Sequence, residues 1–296
     1  MARLPSPFDL LNKTVGAAGL RVIRNIPFGR HIRQKLDIYA TAPRAALSFS
    51  ATTEPLPVIL FFYGGSWQHG ERRDYRFAAA ALARLGFVVV VPDYRLYPQV
   101  RFPAFLQDCA AAVAWVFKNI RSYGGDTRSV LLMGHSAGAY NAAMLALDPG
   151  YLNAVGLEPD CLSGWIGLAG PYDFLPFHDR VIAEIFSTTP DENLTQPIHF
   201  IAKGSRQPPA LLLHGGRDRV VLPGNTAALS ARLRQTGNAV ETRVYPRLGH
   251  AGILLACLPW LQWRAALLRD IAHFSAACRN GEFADDGSDI SAPMLR

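Results

Sequence analysis

The pentapeptide Gly134-His-Ser-Ala-Gly138 limits the possible folds of this chain more than any other stretch, because it joins two different kinds of segment. The apolar run 130–133 before it is typical of a buried strand, and the run 139–147 after it is typical of a helix. A strand–turn–helix arrangement of this kind raises a serine hydroxyl above the end of a sheet. The tight turn also brings the positions two residues before and two residues after the serine close together. Glycine, which has no side chain, avoids a clash at both positions. The spacing therefore predicts that Ser136 is a nucleophile.

Beyond residue 57, short apolar runs alternate with helix-like stretches. We predict strands at 58–63, 87–91, 130–133, 165–169, 210–214 and 242–245, and helices at 76–85, 103–122, 139–147, 223–236 and 260–277. Such alternation is typical of a parallel sheet with helices on both faces. Two earlier runs, 20–26 and 34–39, predict antiparallel edge strands, and the Ala-, Ser- and Pro-rich stretch 40–57 predicts a surface loop. The predicted fold class is therefore α/β, with a mostly parallel central sheet flanked by helices.

The chain has 296 residues, and α/β folds of this size often form one domain. We predict a single domain over residues 1–279, followed by a flexible tail over 280–296 that is poor in apolar residues. Residues 1–20 have a loose amphipathic pattern and predict an N-terminal arm, either packed on the domain or placed as a flap near a substrate mouth. Residues 171–207 form the longest insertion between predicted strands, and their apolar side chains predict a small cap segment over the site.

Composition argues against several classes of function. The net charge is +7, but no run of about five or six like charges occurs, so no nucleic-acid site is expected. The four cysteines are far apart without a C-x-x-C pair, so we expect free thiols, no metal site and no cofactor. No apolar run of about 18 residues and no secretory leader pattern is found, so we expect no membrane span and a cytoplasmic location. The oligomeric state stays open, with a homodimer among the options.

A serine hydroxyl becomes a good nucleophile when a base takes its proton, and that base is usually a histidine oriented by a carboxylate. Of the eight histidines, His250 alone lies in a predicted loop directly after the final strand, and we predict it as the base. His214 lies inside or at the end of a predicted strand, where a core or turn role is expected, and His273 lies within a predicted helix. The others precede the serine or fall in the predicted cap: His31, His69, His135, His178 and His199.

A carboxylate partner for the histidine is expected just after another strand. Asp218 follows a predicted buried strand through a glycine turn, and we predict it as the acid. Asp173 is the alternative, since it also follows a strand end, but one strand earlier. Asp93 lies two residues before Arg95, and this spacing predicts a structural ion pair instead.

Backbone N–H groups are suitable donors to the oxyanion that forms when a serine attacks a carbonyl. The glycine-rich turn after the strand 58–63 supplies Gly64 and Gly65, and Ala137 follows the nucleophile. We predict the N–H groups of these three residues as an oxyanion hole, because side chains on such a turn would block the approach of a substrate. We also predict four side chains that line the substrate pocket: Ser66, Trp67, Phe174 and Phe177.

Over residues 35–275 the chain resembles α/β-hydrolases of the esterase/lipase group, in particular their hormone-sensitive-lipase-like, feruloyl-esterase-like and kynurenine-formamidase-like branches. The resemblance rests on these motifs: Leu36-Asp-Ile-Tyr39, Tyr63-Gly-Gly-Ser-Trp67, Pro92-Asp-Tyr-Arg95, Gly134-His-Ser-Ala-Gly138, Gly170-Pro-Tyr-Asp173, His214-Gly-Gly-Arg-Asp218 and Gly249-His250. It implies an α/β-hydrolase fold with a small cap insertion and no cofactor. It also implies a triad of Ser136, Asp218 and His250, with an oxyanion turn at 64–66.

One departure from the family pattern affects the oxyanion turn. The family usually has His at the position of Tyr63 and often has Gly at the position of Ser66. A tyrosine can still form a hydrogen bond to the turn, so we expect a changed pocket shape and retained activity.

The motifs and the resemblance together predict a carboxylic-ester hydrolase that acts through an acyl-serine intermediate on small acyl or aryl esters. An aryl formamidase, or another amide hydrolase with the same triad, is the alternative. A peptidase of the prolyl-oligopeptidase type usually carries a large extra domain, for which this sequence shows no sign. A non-catalytic binding protein with this fold typically lacks a triad member, whereas this chain retains all three candidates. The expected partner is therefore a small-molecule ester.

Overall fold

The computed structural model describes residues 7–16, 18–42, 54–202 and 206–283. Within these ranges eight strands form one sheet. The strands are β1 (Leu20–Pro27), β2 (Lys35–Thr41), β3 (Leu56–Phe62), β4 (Val88–Pro92), β5 (Gly125–His135), β6 (Gly164–Leu168), β7 (Ala210–Gly215) and β8 (Val240–Tyr245). Their order across the sheet is β1-β2-β4-β3-β5-β6-β7-β8.

The first edge of the sheet is antiparallel and the rest is parallel. β1 pairs with β2, and β2 with β4, in antiparallel fashion, whereas the neighbouring pairs from β4 to β8 are parallel. Parallel neighbours need long crossover connections, which helices usually supply. The mostly parallel sheet with an antiparallel start is therefore confirmed.

Helices precede, connect and follow the strands. They are α1 (Pro7–Thr14), α2 (Arg76–Arg84), α3 (Ala104–Asn119), α4 (Ala137–Leu147), α5 (Pro149–Asn153), α6 (Arg180–Phe186), α7 (Gly224–Gln235), α8 (His250–Leu255) and α9 (Leu267–Asn280). Short 3₁₀ turns lie at Arg72–Tyr75, Ile120–Tyr123, Pro159–Cys161, Glu192–Thr195, Pro197–Phe200 and Pro259–Arg264.

The central strands are buried on both faces because helices cover them. Every residue of β4, β6 and β7 is buried, as is β3 from Pro57 onward. A strand between two helical layers has a continuous apolar run instead of an alternating one, and this is the pattern that predicted them. β8 forms the far edge of the sheet and is only partly buried.

Some boundaries differ from the predicted ones. The sequence predicts one helix over 260–277, whereas the structure has a 3₁₀ turn, Pro259–Arg264, and then α9 from Leu267. Ala265 between them is extended, with φ −156° and ψ 146°, and this interrupts the helix. β5 begins before the predicted start at 130, because Gly125 already pairs with Leu56.

The described part of the N-terminal arm contains α1, which packs on the start of α2. The ring of Phe8 lies 5.3 Å from that of Tyr75, measured between centroids. Asn12 donates through Nδ2 to the carbonyl of Arg73 (2.8 Å) and accepts through Oδ1 from the N–H of Phe77 (3.0 Å). Parts of four predicted segments lie outside the described residues: 1–6 and 17 of the arm, 43–53 of the loop, 203–205 of the cap and 284–296 of the tail.

Two separate ion pairs replace the predicted pair between Asp93 and Arg95. The guanidinium of Arg95 binds Asp108, with Nε at 2.8 Å and Nη2 at 2.8 Å from the carboxylate. Asp93 instead binds the guanidinium of Arg72, which also contacts Asp37 at 2.8 Å. The prediction that Asp93 makes a structural ion pair is confirmed, but its partner is Arg72, 21 residues away, instead of Arg95. Arg95 pairs with Asp108, 13 residues away, because folding and not sequence spacing decides the partners.

Candidate active site

Ser136 lies on the tight turn between β5 and α4. Its backbone has φ 55° and ψ −124°, a conformation that non-glycine residues rarely adopt. A Cβ atom added to Gly134 would lie 2.0 Å from the carbonyl oxygen of Gly138, and one added to Gly138 would lie 2.0 Å from that of Phe62. Both positions therefore need glycine, because backbone segments meet there.

Two hydrogen bonds join three side chains that come from different strand ends. Nε2 of His250 lies 2.9 Å from Oγ of Ser136, and Nδ1 of His250 lies 2.8 Å from Oδ2 of Asp218. A carboxylate only accepts hydrogen bonds, so Nδ1 carries the proton and Nε2 presents its lone pair to the serine hydroxyl. In this geometry an imidazole can take the proton of the hydroxyl as it attacks.

Asp218 is fixed on both of its oxygens. Its side chain is fully buried, and Oδ1 accepts the N–H groups of Val220 at 2.9 Å and Val221 at 3.0 Å. This leaves Oδ2 directed at the imidazole. Asp173, the alternative acid, is exposed, and its N–H donates to Oδ1 of Asn225. The geometry therefore favours Asp218 over Asp173 as the partner of the histidine.

His250 begins a helix, which corrects the predicted loop. It is the first residue of α8, and Gly249 is the N-cap. Ile253 and Leu254 are buried one turn later, so their packing stabilises a short helix directly after β8. The imidazole still lies at the strand end, with 16% of the side chain exposed.

The glycine-rich turn after β3 lies beside Ser136. A Cβ atom added to Gly64 would lie 2.9 Å from Cβ of Ser136. Gly65 has φ 130°, and a Cβ there would lie 2.2 Å from the carbonyl oxygen of His69. Within the described ranges, no hydrogen bond uses the N–H of Gly64, Gly65 or Ala137. These three donors are therefore available to a ligand beside the serine.

The BD-FAE family model matches residues 36–233, about two thirds of the chain. The chain belongs to the BD-FAE family. Esterase LipC of Mycobacterium tuberculosis is 29% identical over 249 residues, which cover 76% of this chain and 61% of LipC. Esterase LipQ of the same organism is 30% identical over 249 residues, covering 78% of this chain and 58% of LipQ. This chain thus spans about 60% of the length of these curated relatives.

A solved structure supports the same fold. Esterase B from Lactobacillus rhamnosis superimposes with a TM-score of 0.74 at 19% identity, and the match covers 94% of each chain. This likeness confirms the α/β-hydrolase fold. The BD-FAE match and the esterase relatives confirm the resemblance to the esterase branch.

This BD-FAE member has Tyr63 at the position where the resemblance leads us to expect His. The prediction that the Tyr63 hydroxyl binds the turn was wrong. The hydroxyl donates to Oδ1 of Asp93 (3.0 Å) and accepts from Nη2 of Arg33 (2.8 Å). Burial raises the pKa of this hydroxyl well above its usual value. Two neighbouring tyrosines hold the turn instead: Tyr94 donates to the carbonyl of Tyr63 (2.7 Å), and Tyr75 donates to that of Gly64 (3.2 Å).

Three of the four predicted pocket residues form part of an aromatic cluster, which we define as Trp67, Tyr140, Phe174, Phe177 and Phe186. Trp67 is 3% exposed, and its Nε1 donates to Oδ1 of Asn141 at 3.0 Å. Its ring centroid lies 6.3 Å from that of Phe174 and 4.9 Å from that of Phe186. Ser66, the fourth residue, lies exposed on the turn with φ 52°. Trp67 therefore links the turn to the predicted cap.

Two histidines that the sequence reasoning set aside contact the candidate site. Nε2 of His135 lies 3.0 Å from the carbonyl oxygen of His250, and Nε2 of His214 lies 3.3 Å from Oδ2 of Asp218. Burial lowers the pKa of His135 to about 3 and also lowers the pKa of His214. Their positions directly before Ser136 and four residues before Asp218 were the available signal.

No group of three or more His, Cys, Asp or Glu side chains in the described ranges is arranged to hold a metal ion. None of the helices described combines the length and the apolar character that crossing a membrane requires. A surface cavity of about 500 Å³, with Gln107, Asp148 and Tyr151 among its lining residues, lies at the far end of α4 from Ser136. It is separate from the candidate site.

Proposed function

We propose that this protein is a serine carboxylic-ester hydrolase with Ser136 as nucleophile, His250 as base and Asp218 as acid. The observation that supports this most is the pair of hydrogen bonds on one imidazole, 2.9 Å to the serine hydroxyl and 2.8 Å to a buried carboxylate. The relatives LipC and LipQ, both named esterases, support the same class of reaction.

The proposed reaction has two halves. Oγ of Ser136 attacks the ester carbonyl while Nε2 of His250 takes its proton, and Asp218 stabilises the imidazolium that results. The N–H groups of Gly64, Gly65 and Ala137 hold the oxyanion. His250 then gives the proton to the leaving alcohol. In the second half, His250 takes a proton from a water molecule as it attacks the acyl-serine. It then returns that proton to Oγ of Ser136 as the carboxylic acid leaves, which restores the free enzyme.

We propose small acyl or aryl groups as substrates, held under a cap formed by residues 171–207. The support is the aromatic cluster, in which Trp67 of the turn packs against Phe174 and Phe186 of the predicted cap. We also propose a location in a reducing compartment, the cytoplasm, because the four cysteines are free thiols.

The test is hydrolysis of p-nitrophenyl esters of increasing acyl length by the wild-type protein and by Ser136→Ala. We expect short acyl esters to be preferred and the variant to lose at least about 10⁴-fold in kcat, because the nucleophile is removed. The matched control is Ser122→Ala, an exposed serine in the 3₁₀ turn before β5, at the opposite end of that strand from Ser136. A fluorophosphonate probe should label the wild type and Ser122→Ala but not Ser136→Ala.

Equal rates for the wild type and Ser136→Ala would contradict the proposal. N-formylkynurenine assayed beside the esters distinguishes the aryl-formamidase alternative, since a clear preference for the formamide would assign the same residues to amide hydrolysis.

A further inference from the structure

Two buried imidazoles lie beside the candidate triad, that of His135 against His250 and that of His214 against Asp218. His250 contacts Ser136 and Asp218 through its ring, and its carbonyl oxygen accepts a hydrogen bond from His135 at 3.0 Å. Asp218 in turn lies 3.3 Å from the imidazole of His214. Neither His135 nor His214 contacts Ser136 Oγ, so any role they have in the reaction acts through His250.

The surroundings of His214 fix its tautomer. Nε2 faces two groups that only accept, the carbonyl of Val221 at 2.9 Å and the carboxylate of Asp218 at 3.3 Å, so Nε2 carries the proton. Nδ1 then has a lone pair, and the hydroxyl of Thr226 at 2.8 Å donates to it. The other tautomer would turn a lone pair toward a carbonyl and a carboxylate, which is repulsive.

His135 is fixed in the same way. Its Nε2 faces the carbonyl of His250, so Nε2 carries the proton. Its Nδ1 is buried and has no hydrogen-bond partner among the described residues. A second proton on Nδ1 would be buried without an acceptor, so this ring stays neutral although its centroid lies 4.9 Å from that of His250.

We propose that His214 and His135 are positioning residues for the candidate base. His214, oriented by Thr226, holds Asp218 and the Val221 carbonyl of the same loop, and His135 holds the main chain of His250. Of the three neighbouring imidazoles, only that of His250 then takes up charge during the reaction. The proposal deepens the proposed function and rests on it for its kinetic readout.

The first test compares Thr226→Val with Thr226→Ser. The valine keeps the shape of the side chain but removes the donor to His214, whereas the serine keeps the hydroxyl. We expect kcat on a short ester to fall about 10-fold or more in the valine variant, with KM little changed, because the base is misplaced and the pocket is intact. The serine variant should stay within about 3-fold of the wild type. Equal activity of both variants would overturn the role of Thr226 and His214.

The second test compares His135→Gln with His135→Phe. A glutamine Nε2 can reach the position of the imidazole Nε2 and donate to the His250 carbonyl, whereas phenylalanine keeps a ring but no donor. We expect the glutamine to retain kcat within about 3-fold and the phenylalanine to lose about 10- to 100-fold, again with little change in KM. Equal loss in both, or no loss in either, would overturn the role of His135.

A third measurement needs no ester and reads the tautomers directly. ¹⁵N NMR of histidine-labelled wild-type protein should show His214 and His135 as neutral Nε2–H tautomers at pH 7, assigned by comparison with the variants. Either ring in the Nδ1–H form would overturn the proposal. If the tautomers are as expected but no ester is cleaved and no fluorophosphonate is bound, the proposed function fails while the imidazole arrangement stands.

Discussion

Gly138 brings the start of α4 against the end of β3, and the backbone there has no room for a side chain. A Cβ at this position would lie 2.0 Å from the carbonyl oxygen of Phe62 and 2.6 Å from that of Tyr63, which leads into the glycine-rich turn. We therefore expect Gly138→Ala to lower the free energy of unfolding by about 1–3 kcal/mol or more. The proposed esterase activity should fall further, because the strain lies between Ser136 and the glycine-rich turn. Urea unfolding and an ester assay measure the two effects.

Gly224→Ala is the matched control for this change. Gly224 is the first residue of α7, and an added Cβ meets nothing within 4 Å. Alanine should therefore leave activity unchanged and alter stability by less than about 1 kcal/mol, in the stabilising direction if the helix preference dominates. If Gly138→Ala behaved like Gly224→Ala, close backbone approach would not explain the glycine.

At the scale of single residues, the sequence predicted the candidate site residues that directly follow a strand. Ser136, Asp218 and His250 could be predicted because each follows a strand in a short motif, and the structure brings them together. The partners of Tyr63 and His135 could not, since they depend on which distant groups fold against them. A hydrogen bond from His135 to a carbonyl 115 residues away leaves no local pattern.

At the scale of elements, Arg72 joins the antiparallel edge of the sheet to the turn before α2. Its buried guanidinium binds Asp37 on β2 and Asp93 after β4, and its side chain is 6% exposed. We expect Arg72→Ala to lower the free energy of unfolding by about 3–5 kcal/mol, because two buried carboxylates lose their counter-charge. Urea unfolding measures this.

The matched control is Arg128→Ala. In the wild type, the guanidinium of Arg128 pairs with Asp126, but the Arg128 side chain is 81% exposed. Exposed pairs contribute about 0–1 kcal/mol, so this variant should unfold at nearly the wild-type urea concentration. Similar losses in the Arg72 and Arg128 variants would show that burial does not decide the strength of the pair.

Phe177 belongs to the predicted cap and to the aromatic cluster, with its ring 5.6 Å from that of Phe186. It is partly exposed, so its removal should widen the pocket more than it disturbs the core. If the proposed cap limits acyl length, Phe177→Ala should raise kcat/KM for p-nitrophenyl octanoate relative to the butyrate by about 10-fold. An unchanged ratio would place the acyl site elsewhere.

Among the elements, the predicted strands that match best are those covered on both faces. Their continuous apolar runs record burial directly, as in β4 and β7. The bounds of β8 and of the elements after it were harder to predict, because an edge strand and a short helix each bury few side chains. The break at Ala265 depends on a local backbone conformation that hydrophobic periodicity does not report.

Across the whole molecule, the candidate residues share one edge of the sheet because parallel strands end there together. The turn at Gly64 follows β3, Ser136 follows β5, Asp218 follows β7 and His250 begins just after β8. The buried imidazoles of His135 and His214 lie at the same edge. Because both stay neutral in the folded protein, they make the free energy of unfolding depend on pH.

A fall in pH should therefore destabilise this protein, because the buried histidines at this edge of the sheet resist protonation in the folded state. Burial lowers the pKa of His135 from 6.5 to about 3, with smaller effects from His250, Asp218 and His214 around it. Below pH 6.5 the unfolded chain binds a proton at this histidine while the folded chain does not, so stability is lost as the pH falls toward 3. Between pH 7 and pH 5 this one group should remove about 2 kcal/mol from the free energy of unfolding. The lowered pKa of His214 acts in the same direction.

Urea unfolding at pH 7, 6 and 5 measures this dependence, and His135→Gln isolates it. The glutamine keeps a donor for the His250 carbonyl but cannot titrate, so the variant should lose about 2 kcal/mol less than the wild type over this range. The two proteins are compared by the slope of the free energy of unfolding against pH. Any effect of the substitution on stability that does not depend on pH therefore cancels. Carboxylates with ordinary pKa values titrate mostly below this window and affect both proteins alike. Identical slopes would mean that His135 takes up its proton in the folded chain at the same pH as in the unfolded chain, which would contradict a pKa lowered by burial.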